Sequence, residues 1–283
     1  MKSMITKIDH ALFHALDSLE NSRVKEAMNY SLQAEGKRLR PLFVLEACRA
    51  CKGDIEKAMP VAVAIEMIHT YSLIHDDLPA MDNDDYRRGR LTCHRYFDEA
   101  TAILAGDGLL TEAFNQIAKS YLLDQQKMQC VRVLAQCAGS SGMILGQCLD
   151  MESETKKTIQ LEELEQIHYN KTGKLFAASL QLGCIVAKKS EYLSLMEELG
   201  LTIGIAFQIQ DDILDATQSQ EKLGKSNSDH ANHKMTYVSL LGLEKAQFCM
   251  EQKYAEVSQL LEKLPVHNSE LEKIIERLKE RIK

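Results

Sequence analysis

The chain has 283 residues and a formal net charge of −7, with 45% apolar and 27% charged residues. This composition is typical of a globular protein with a large buried core, and its acidic balance argues against a general nucleic-acid binder. No apolar run is long enough to span a membrane, and the N-terminal residues lack the apolar core of a signal peptide, so we expect a cytoplasmic protein.

The spacing of the apolar residues predicts helices along most of the chain. Apolar side chains recur at intervals of three and four, as between Leu161 and Ile167, which is the helical period. The chain has only four prolines, and Pro60 is expected to open a helix at its first turn. Since no linker or repeat divides the chain, we predict one domain over residues 1–283.

The eight cysteines are scattered along the chain rather than grouped as a disulfide framework. Cys48 and Cys51 form a CxxC pattern, but no second pair completes a zinc site. Buried free thiols are therefore the favoured interpretation.

A first acidic motif follows an apolar stretch from Val61 to Ile74, which predicts a buried helix. Asp76 and Asp77 end this helix. Pro79 disfavours the helical conformation in the residue before it, so the chain turns and brings Asp82 back within reach. Carboxylates crowded at the end of a buried helix repel one another, which points to a bound cation.

A second acidic motif lies in the apolar stretch from Leu201 to Ala216, which we predict to form one helix. Four polar side chains are spaced here by three, one and three, so we expect them on one helical face. They are Gln208, Asp211, Asp212 and Asp215. The flanking residues are too apolar for an exposed helix, which favours a metal site over a solvated edge. The polar segment from Thr217 to Thr236 predicts a loop that could act as a lid.

Basic residues flank both acidic motifs. They lie at Gly36-Lys37-Arg38-Leu39-Arg40-Pro41, Arg87-Arg88-Gly89-Arg90, Lys171-Thr172-Gly173-Lys174, Lys225 and Lys234. Because guanidinium and ammonium groups bind phosphate oxygens and carboxylates bind Mg²⁺, the combination predicts a site for a diphosphate and divalent metal ions. The acid spacing does not fit an EF-hand, and the chain lacks a P-loop motif.

The ordered set of motifs resembles the short-chain trans-isoprenyl diphosphate synthases, and within them the bacterial farnesyl diphosphate synthases. The resemblance extends from Gly36 to the region of Lys234 and includes Ile68 to Asp82, Arg87 to His94, Ala102 to Asp107, Gly146 to Asp150, Lys171 to Gly173 and Phe207 to Asp215. It implies an all-α orthogonal helical bundle around a central cavity, usually assembled as a homodimer. The implied reaction is head-to-tail condensation of isopentenyl diphosphate with dimethylallyl or geranyl diphosphate to give (2E,6E)-farnesyl diphosphate.

The resemblance also implies roles for individual residues. The metal ligands would be Asp76, Asp82 and Asp211, supported by Asp77, Asp212 and Asp215; they would hold about three Mg²⁺ ions, with Mn²⁺ as a substitute. The allylic diphosphate would be bound with help from Arg87, Lys171, Thr172, Gln208, Lys225 and Lys234. Isopentenyl diphosphate would bind without metal at Gly36, Lys37, Arg40, His69 and Arg88. The basic C-terminus from Arg277 to Lys283 could fold over this second site, or its cations could equally well serve only the C-terminal end of a helix. The implied catalytic residues are Asp76, Asp82, Arg87, Lys171, Thr172, Asp211 and Lys225.

In the implied mechanism, metal ions and basic side chains stabilise the diphosphate as it leaves, so the allylic C–O bond ionises. The allylic cation would lie near the hydroxyl of Thr172 and the carbonyl of Lys171, where Gly173 could break the helix. The double bond of isopentenyl diphosphate attacks this cation, and the departed diphosphate takes up the final proton. Water must be excluded, since it would convert the cation to an alcohol.

Product length is implied to depend on Tyr71 and Ser72. Tyr71 precedes Asp76 by five residues, roughly 7.5 Å along a helix, where its ring could floor the cavity and limit the product to fifteen carbons. The alternative interpretation is that Tyr71 is an ordinary core residue with no effect on product length. A geranylgeranyl diphosphate synthase with a deeper cavity is the nearest rival. A class I terpene cyclase is disfavoured by the second phosphate site, and a non-catalytic modulating subunit by the presence of both acidic motifs.

Overall fold

The computed structural model describes residues 2–217, 235–264 and 269–281. Its helices are α1 (Lys2–His14), α2 (Arg23–Leu32), α3 (Leu39–Ala50), α4 (Ile55–Asp76), α5 (Cys93–Tyr96), α6 (Glu99–Lys119), α7 (Asp124–Ala138), α8 (Met143–Glu154), α9 (Leu161–His168), α10 (Lys174–Val186), α11 (Leu193–Thr217), α12 (Tyr237–Leu241), α13 (Leu243–Glu262) and α14 (Ser269–Lys279). A π-helical turn, Tyr169–Gly173, joins α9 to α10, and a 3₁₀ turn, Ser190–Tyr192, precedes α11. The predicted all-α fold is confirmed. Strand pairing in the described ranges is limited to β1 (Tyr86–Arg87) and β2 (Arg90–Leu91).

Five helices form the centre of the bundle. α4 packs against α3 and α6, while α10 lies between α3 and α11. The whole of α10 from Leu175 to Val186 is buried. Two glycines allow the close approach, because a Cβ at Gly183 would collide with the carbonyl of Val44, and one at Gly200 with the backbone of Ala177. α10 can therefore serve as the axis around which the other helices are arranged.

A second, smaller apolar cluster ties the end of α11 to the helices that follow it. Ile209 and Ile213 of α11 pack in this cluster with Tyr237 of α12 and Ala246 of α13. Ile167 of α9 belongs to the same cluster. The half of α11 that carries the second acidic motif is thus held by α9, which precedes it in the chain, and by α12 and α13, which follow it.

Two helix boundaries differ from those predicted. The expectation that Pro60 opens a helix is wrong, because α4 begins at Ile55 and contains Pro60. The Asp54 side chain accepts a hydrogen bond from the Glu56 amide, so an N-cap nucleates the helix upstream of the proline. α11 likewise begins at Leu193 rather than at the predicted Leu201.

The eight cysteines are all free, as predicted, and six of them are buried. Cys148 on α8 is exposed, and Cys249 is half-buried. No helix within the described ranges has an apolar stretch long enough to cross a membrane.

Candidate active site

One large cavity of about 1900 Å³ brings most of the predicted site residues together. α3 and the turn before it, α4, the hairpin, the π-helical turn and α11 all contribute to its lining. The predicted residues that line it are Gly36, Lys37, Arg40, His69, Tyr71, Ser72, Asp76, Asp82, Arg87, Arg88, Lys171, Thr172, Gln208 and Asp211. The first and second acidic motifs, separated by more than a hundred positions in the sequence, thus share one cavity.

Five predicted site residues stand outside this arrangement. Asp77, Asp212 and Asp215 are not among the cavity-lining residues. Lys225 and Lys234 lie outside the described residues, as do positions 218–234 of the loop and lid predicted from Thr217 to Thr236.

The first acidic motif turns as the sequence predicted. α4 ends at Asp76, and the Asp82 amide donates to the Asp76 carbonyl at 2.9 Å. The Asn83 amide donates to the Leu78 carbonyl at 3.1 Å, which closes the loop around Pro79. This short turn carries the carboxylates of Asp76 and Asp82 to the same wall of the cavity.

Asp77 is directed away from the cavity and toward Arg87. Its Oδ1 accepts from Arg87 Nε at 2.6 Å, and the carboxylate is 4% exposed. Burial raises the pKa of Asp77 to about 6, and the guanidinium of Arg87 acts in the opposite direction. Asp77 therefore fixes the orientation of Arg87, which does line the cavity.

In the second motif the spacing places all four side chains within one sector of α11, as predicted, but consecutive side chains face different neighbours. Gln208 and Asp211 line the cavity. Asp212 is buried, and its Oδ2 accepts from the Tyr237 amide at 2.8 Å. Asp215 is exposed near the end of α11. The physical reason is the helical rotation of about 100° per residue, which separates Asp211 from Asp212.

The π-helical turn supplies the third side of the site. The Lys171 ammonium lies 2.6 Å from Asp150 Oδ2, and Thr172 Oγ1 donates to Gln208 Oε1 at 2.9 Å. The sequence predicted a helix break at Gly173, and the wider turn ends at this residue. These contacts hold Lys171 against α8 and Thr172 against α11.

The basic cluster of the cavity contains a half-buried cation, Arg40, that is suited to an anion. The guanidinium of Arg40 lies 5.0 Å over the ring of Phe176, and its Nε has no hydrogen-bond partner among the described residues. Burial lowers the pKa of Arg40 to about 10, still well above neutral pH. Burial and the surrounding guanidinium groups lower the pKa of His69, so this ring is neutral beside Arg40. An orphaned buried guanidinium N–H is an unfilled donor for a phosphate oxygen.

Sequence reasoning missed a buried ion pair beneath this cluster. Arg38 has a left-handed backbone, φ 49°, and its Nη1 donates to Glu66 Oε1 at 3.0 Å. Both side chains are 4% or less exposed. Arg38 Nε also binds Asp9 of α1 at 2.8 Å. Nothing in the basic motif distinguishes Arg38 from its neighbours, since only the fold turns it inward.

Glu66→Ala is expected to lower the free energy of unfolding by about 3 kcal/mol, because the change leaves the guanidinium of Arg38 buried without its partner. Glu56→Ala on the same helix is the matched control. Glu56 is 68% exposed and pairs with Lys7 at the surface, so its loss should cost at most about 0.5 kcal/mol. Urea denaturation measures both values, and equal losses would contradict the structural role of Glu66.

A buried histidine also supports the π-helical turn. His168 stacks on Tyr237 with 5.7 Å between ring centroids, and its Nδ1 has no hydrogen-bond partner among the described residues. Burial lowers the pKa of His168 to about 3 from its ordinary 6.5. The ring is therefore neutral in the folded protein throughout the physiological pH range.

The unfolded chain takes up a proton at His168 near pH 6.5, whereas the folded chain does not do so until about 3. Stability is therefore expected to fall as the pH is lowered through this window, by roughly 2 kcal/mol between pH 7.5 and 5 from this residue. In urea denaturation, His168→Gln should show a smaller loss between these pH values than the wild type. The exposed His10→Gln serves as the control, and an unchanged pH difference in His168→Gln would refute the assignment.

The chain matches known proteins over nearly its whole length. Residues 21–278 match the family model described as polyprenyl synthetase. The chain belongs to the polyprenyl synthetase family. A farnesyl diphosphate synthase of Micrococcus luteus is 49% identical, with 93% of this chain and 90% of that protein covered. A chloroplastic geranylgeranyl pyrophosphate synthase of Catharanthus roseus is 44% identical, with 85% and 68% covered. A crystal structure of a Helicobacter pylori geranyltransferase, complexed with magnesium and isoprenyl diphosphate, matches with a TM-score of 0.85 at 33% identity, covering 98% of this chain and 96% of the other.

Polyprenyl synthetases that make prenyl diphosphates generally use divalent metal ions, and the donor set of the cavity fits such ions. Asp76, Asp82 and Asp211 offer the carboxylate oxygens that hard cations prefer. Among the described residues, no three acidic, histidine or cysteine side chains converge into a ready-made metal cage. Mg²⁺ is commonly held by one or two carboxylates, with water and substrate phosphate oxygens completing its shell.

Proposed function

We propose that the chain is a farnesyl diphosphate synthase, which condenses isopentenyl diphosphate with dimethylallyl or geranyl diphosphate. The observation that carries this proposal is the single cavity that is lined both by the acids of α4 and α11 and by the basic cluster around Arg40. One substrate diphosphate can then be bound through metal ions, and the other directly by cations. A terpene cyclase, which ionises one diphosphate, has no use for the second arrangement.

Asp76, Asp82 and Asp211 are the proposed ligands of about three Mg²⁺ ions, which Mn²⁺ could replace. When bound, these ions supply Lewis-acid stabilisation of the charge that develops on the leaving diphosphate. Asp212 and Asp215 have a supporting role at most, because neither lines the cavity.

Arg87 and Lys171 are proposed to bind the allylic diphosphate. Each is already oriented by a carboxylate, Arg87 by Asp77 and Lys171 by Asp150, so neither needs to be ordered when substrate arrives. The allylic C–O bond breaks with its electron pair remaining on the diphosphate. Thr172, held by Gln208, directs its hydroxyl oxygen to the same wall, where it can face the allylic cation.

Isopentenyl diphosphate is proposed to bind at Arg40, His69 and Arg88, with Lys37 and the backbone at Gly36. The neutral ring of His69 donates to phosphate from one nitrogen while the other faces Arg40 Nη1 at 3.4 Å. The π-electrons of the bound alkene form the new C–C bond, and the released proton passes to the departed diphosphate. Lys225 and Lys234 remain predicted contacts of the allylic diphosphate.

The chain is further proposed to act as one domain and as a homodimer. The region of α6 and α7 exposes several large apolar side chains, which suits an interface with another copy. They are Ile103, Leu104, Tyr121, Leu123 and Met128. Light scattering after gel filtration would test the dimer. The cytoplasmic location stays a prediction.

The first experiment is a product assay with purified protein, Mg²⁺, isopentenyl diphosphate and either dimethylallyl or geranyl diphosphate. A fifteen-carbon product that disappears with a chelator is expected. A twenty-carbon product would keep the chemistry and identify a geranylgeranyl diphosphate synthase. The absence of condensation from either starter would contradict the proposal.

A further inference from the structure

Arg281, the last described residue, binds α11 through several contacts of its side chain. Its guanidinium lies 3.8 Å over the ring of Phe207 and donates to the Phe207 carbonyl at 2.8 Å. Arg281 Nε donates to Gln210 Oε1 at 3.2 Å, and the side chain is 8% exposed. A guanidinium stacked on an aromatic face and bound by several acceptors is held in one orientation.

Gln210 connects the Arg281 side chain to the rest of the C-terminal segment. Its amide donates to the carbonyl of Lys279 at 2.9 Å and, at 3.4 Å, to that of Arg281. Tyr254 of α13 donates its hydroxyl to Gln210 Oε1 at 2.9 Å. The end of α14 is thus fixed on α11 by a network whose members are largely buried.

The same guanidinium reaches the second acidic motif. Arg281 Nη2 lies 2.6 Å from Asp211 Oδ1, and Asp211 lines the cavity. The C-terminus was expected to fold over the basic cluster for isopentenyl diphosphate. Arg281 instead lies on the wall that carries the proposed metal ligand.

We propose that Arg281 is a positioning residue for Asp211, an inference that rests on the proposed metal-binding function of this carboxylate. The ion pair takes one carboxylate oxygen and thereby restricts the side-chain rotation of Asp211. A metal ligand whose orientation is already restricted loses less side-chain entropy when it binds a cation. Arg281 acts through Asp211 and needs no contact with substrate.

The other contacts of Arg281 distinguish a residue that positions Asp211 from a cation that only takes the place of the metal ion. The contacts of Arg281 with Phe207 and Gln210 do not involve Asp211. Arg281 therefore stays in place when Asp211 binds a metal ion, whereas a competing cation would have to leave. The two roles predict opposite effects of removing the guanidinium.

The test measures how much Mg²⁺ is needed for inorganic diphosphate to raise the melting temperature of the full-length protein. Arg281→Gln is expected to raise the Mg²⁺ concentration for the half-maximal shift about tenfold, the usual loss when a partner of a metal ligand is removed. Arg281→Lys keeps the positive charge but lacks the planar guanidinium with its several N–H donors. Its Mg²⁺ concentration for the half-maximal shift should lie between those of Arg281→Gln and the wild type. Lys279→Gln removes the same charge from an exposed side chain two residues away and should match the wild type.

An Arg281→Gln variant that matches Lys279→Gln would overturn the inference. A lower Mg²⁺ requirement would also overturn it, because Arg281 would then compete with the metal. In an Asp211→Asn background, Arg281→Gln should have no further effect on the Mg²⁺ requirement. An undiminished effect there would mean that Arg281 acts on diphosphate directly, against the inference. If diphosphate and Mg²⁺ fail to stabilise even the wild type, the proposed function itself fails.

Discussion

Asp76→Asn is expected to reduce the rate of condensation about 10³-fold, the largest effect of any single substitution considered for the cavity. The substitution keeps the shape of the side chain but removes a charged oxygen ligand at the end of α4. The several kcal/mol that a metal ion contributes to stabilising a leaving group is lost when its ligand set is broken. Initial rates at saturating substrate and rising Mg²⁺ measure the loss.

Asp85→Asn is the matched control for this substitution. Asp85 lies in the same loop region but is exposed and pairs with Arg95 rather than lining the cavity. Its removal should leave the rate unchanged within about twofold, since surface ion pairs contribute little. A rate for Asp76→Asn within tenfold of wild type would show that the ionisation does not depend on this carboxylate.

Tyr71→Ala is expected to shift the main product from fifteen to twenty carbons. Tyr71 lines the cavity on α4 while only 5% exposed, so its ring closes space that a longer prenyl chain could fill. The ring packs edge-on against His75 at 5.8 Å between centroids. Ser72 lines the cavity next to Tyr71, and its small side chain leaves more space for the prenyl chain than a larger residue would. Chromatography of the dephosphorylated products measures the chain length.

Tyr71→Phe separates the size of the ring from its hydroxyl. The Tyr71 hydroxyl is buried and has no hydrogen-bond partner among the described residues, so its removal should leave both product length and stability close to wild type. Burial, with the nearby charge of Asp76, raises the pKa of Tyr71 to about 12, so the phenol is neutral at working pH. A fifteen-carbon product from Tyr71→Ala would place the floor of the cavity elsewhere.

The polyprenyl synthetase family, the all-α fold and the cavity-lining acids could be predicted from the sequence because their signals are local. A helical period extends over many residues, and the turn after Asp77 is enforced by Pro79. At Gly173, where a helix break was predicted, the helix widens into a π-helical turn and continues into α10. Family motifs add the expected chemistry at Asp76 and Asp211, since they occur in a fixed order along the chain.

Local sequence patterns thus predict that the chain is helical and which residue types the site contains. Which acids face the cavity, and which cations hold them, depends on how the helices pack. Asp211 and Asp212 are adjacent, yet one lines the cavity and the other binds the Tyr237 amide. Arg281, 70 positions after Asp211, reaches it because α14 ends against α11. The orientation of a side chain depends on packing between helices distant in the sequence, and no local pattern records that packing.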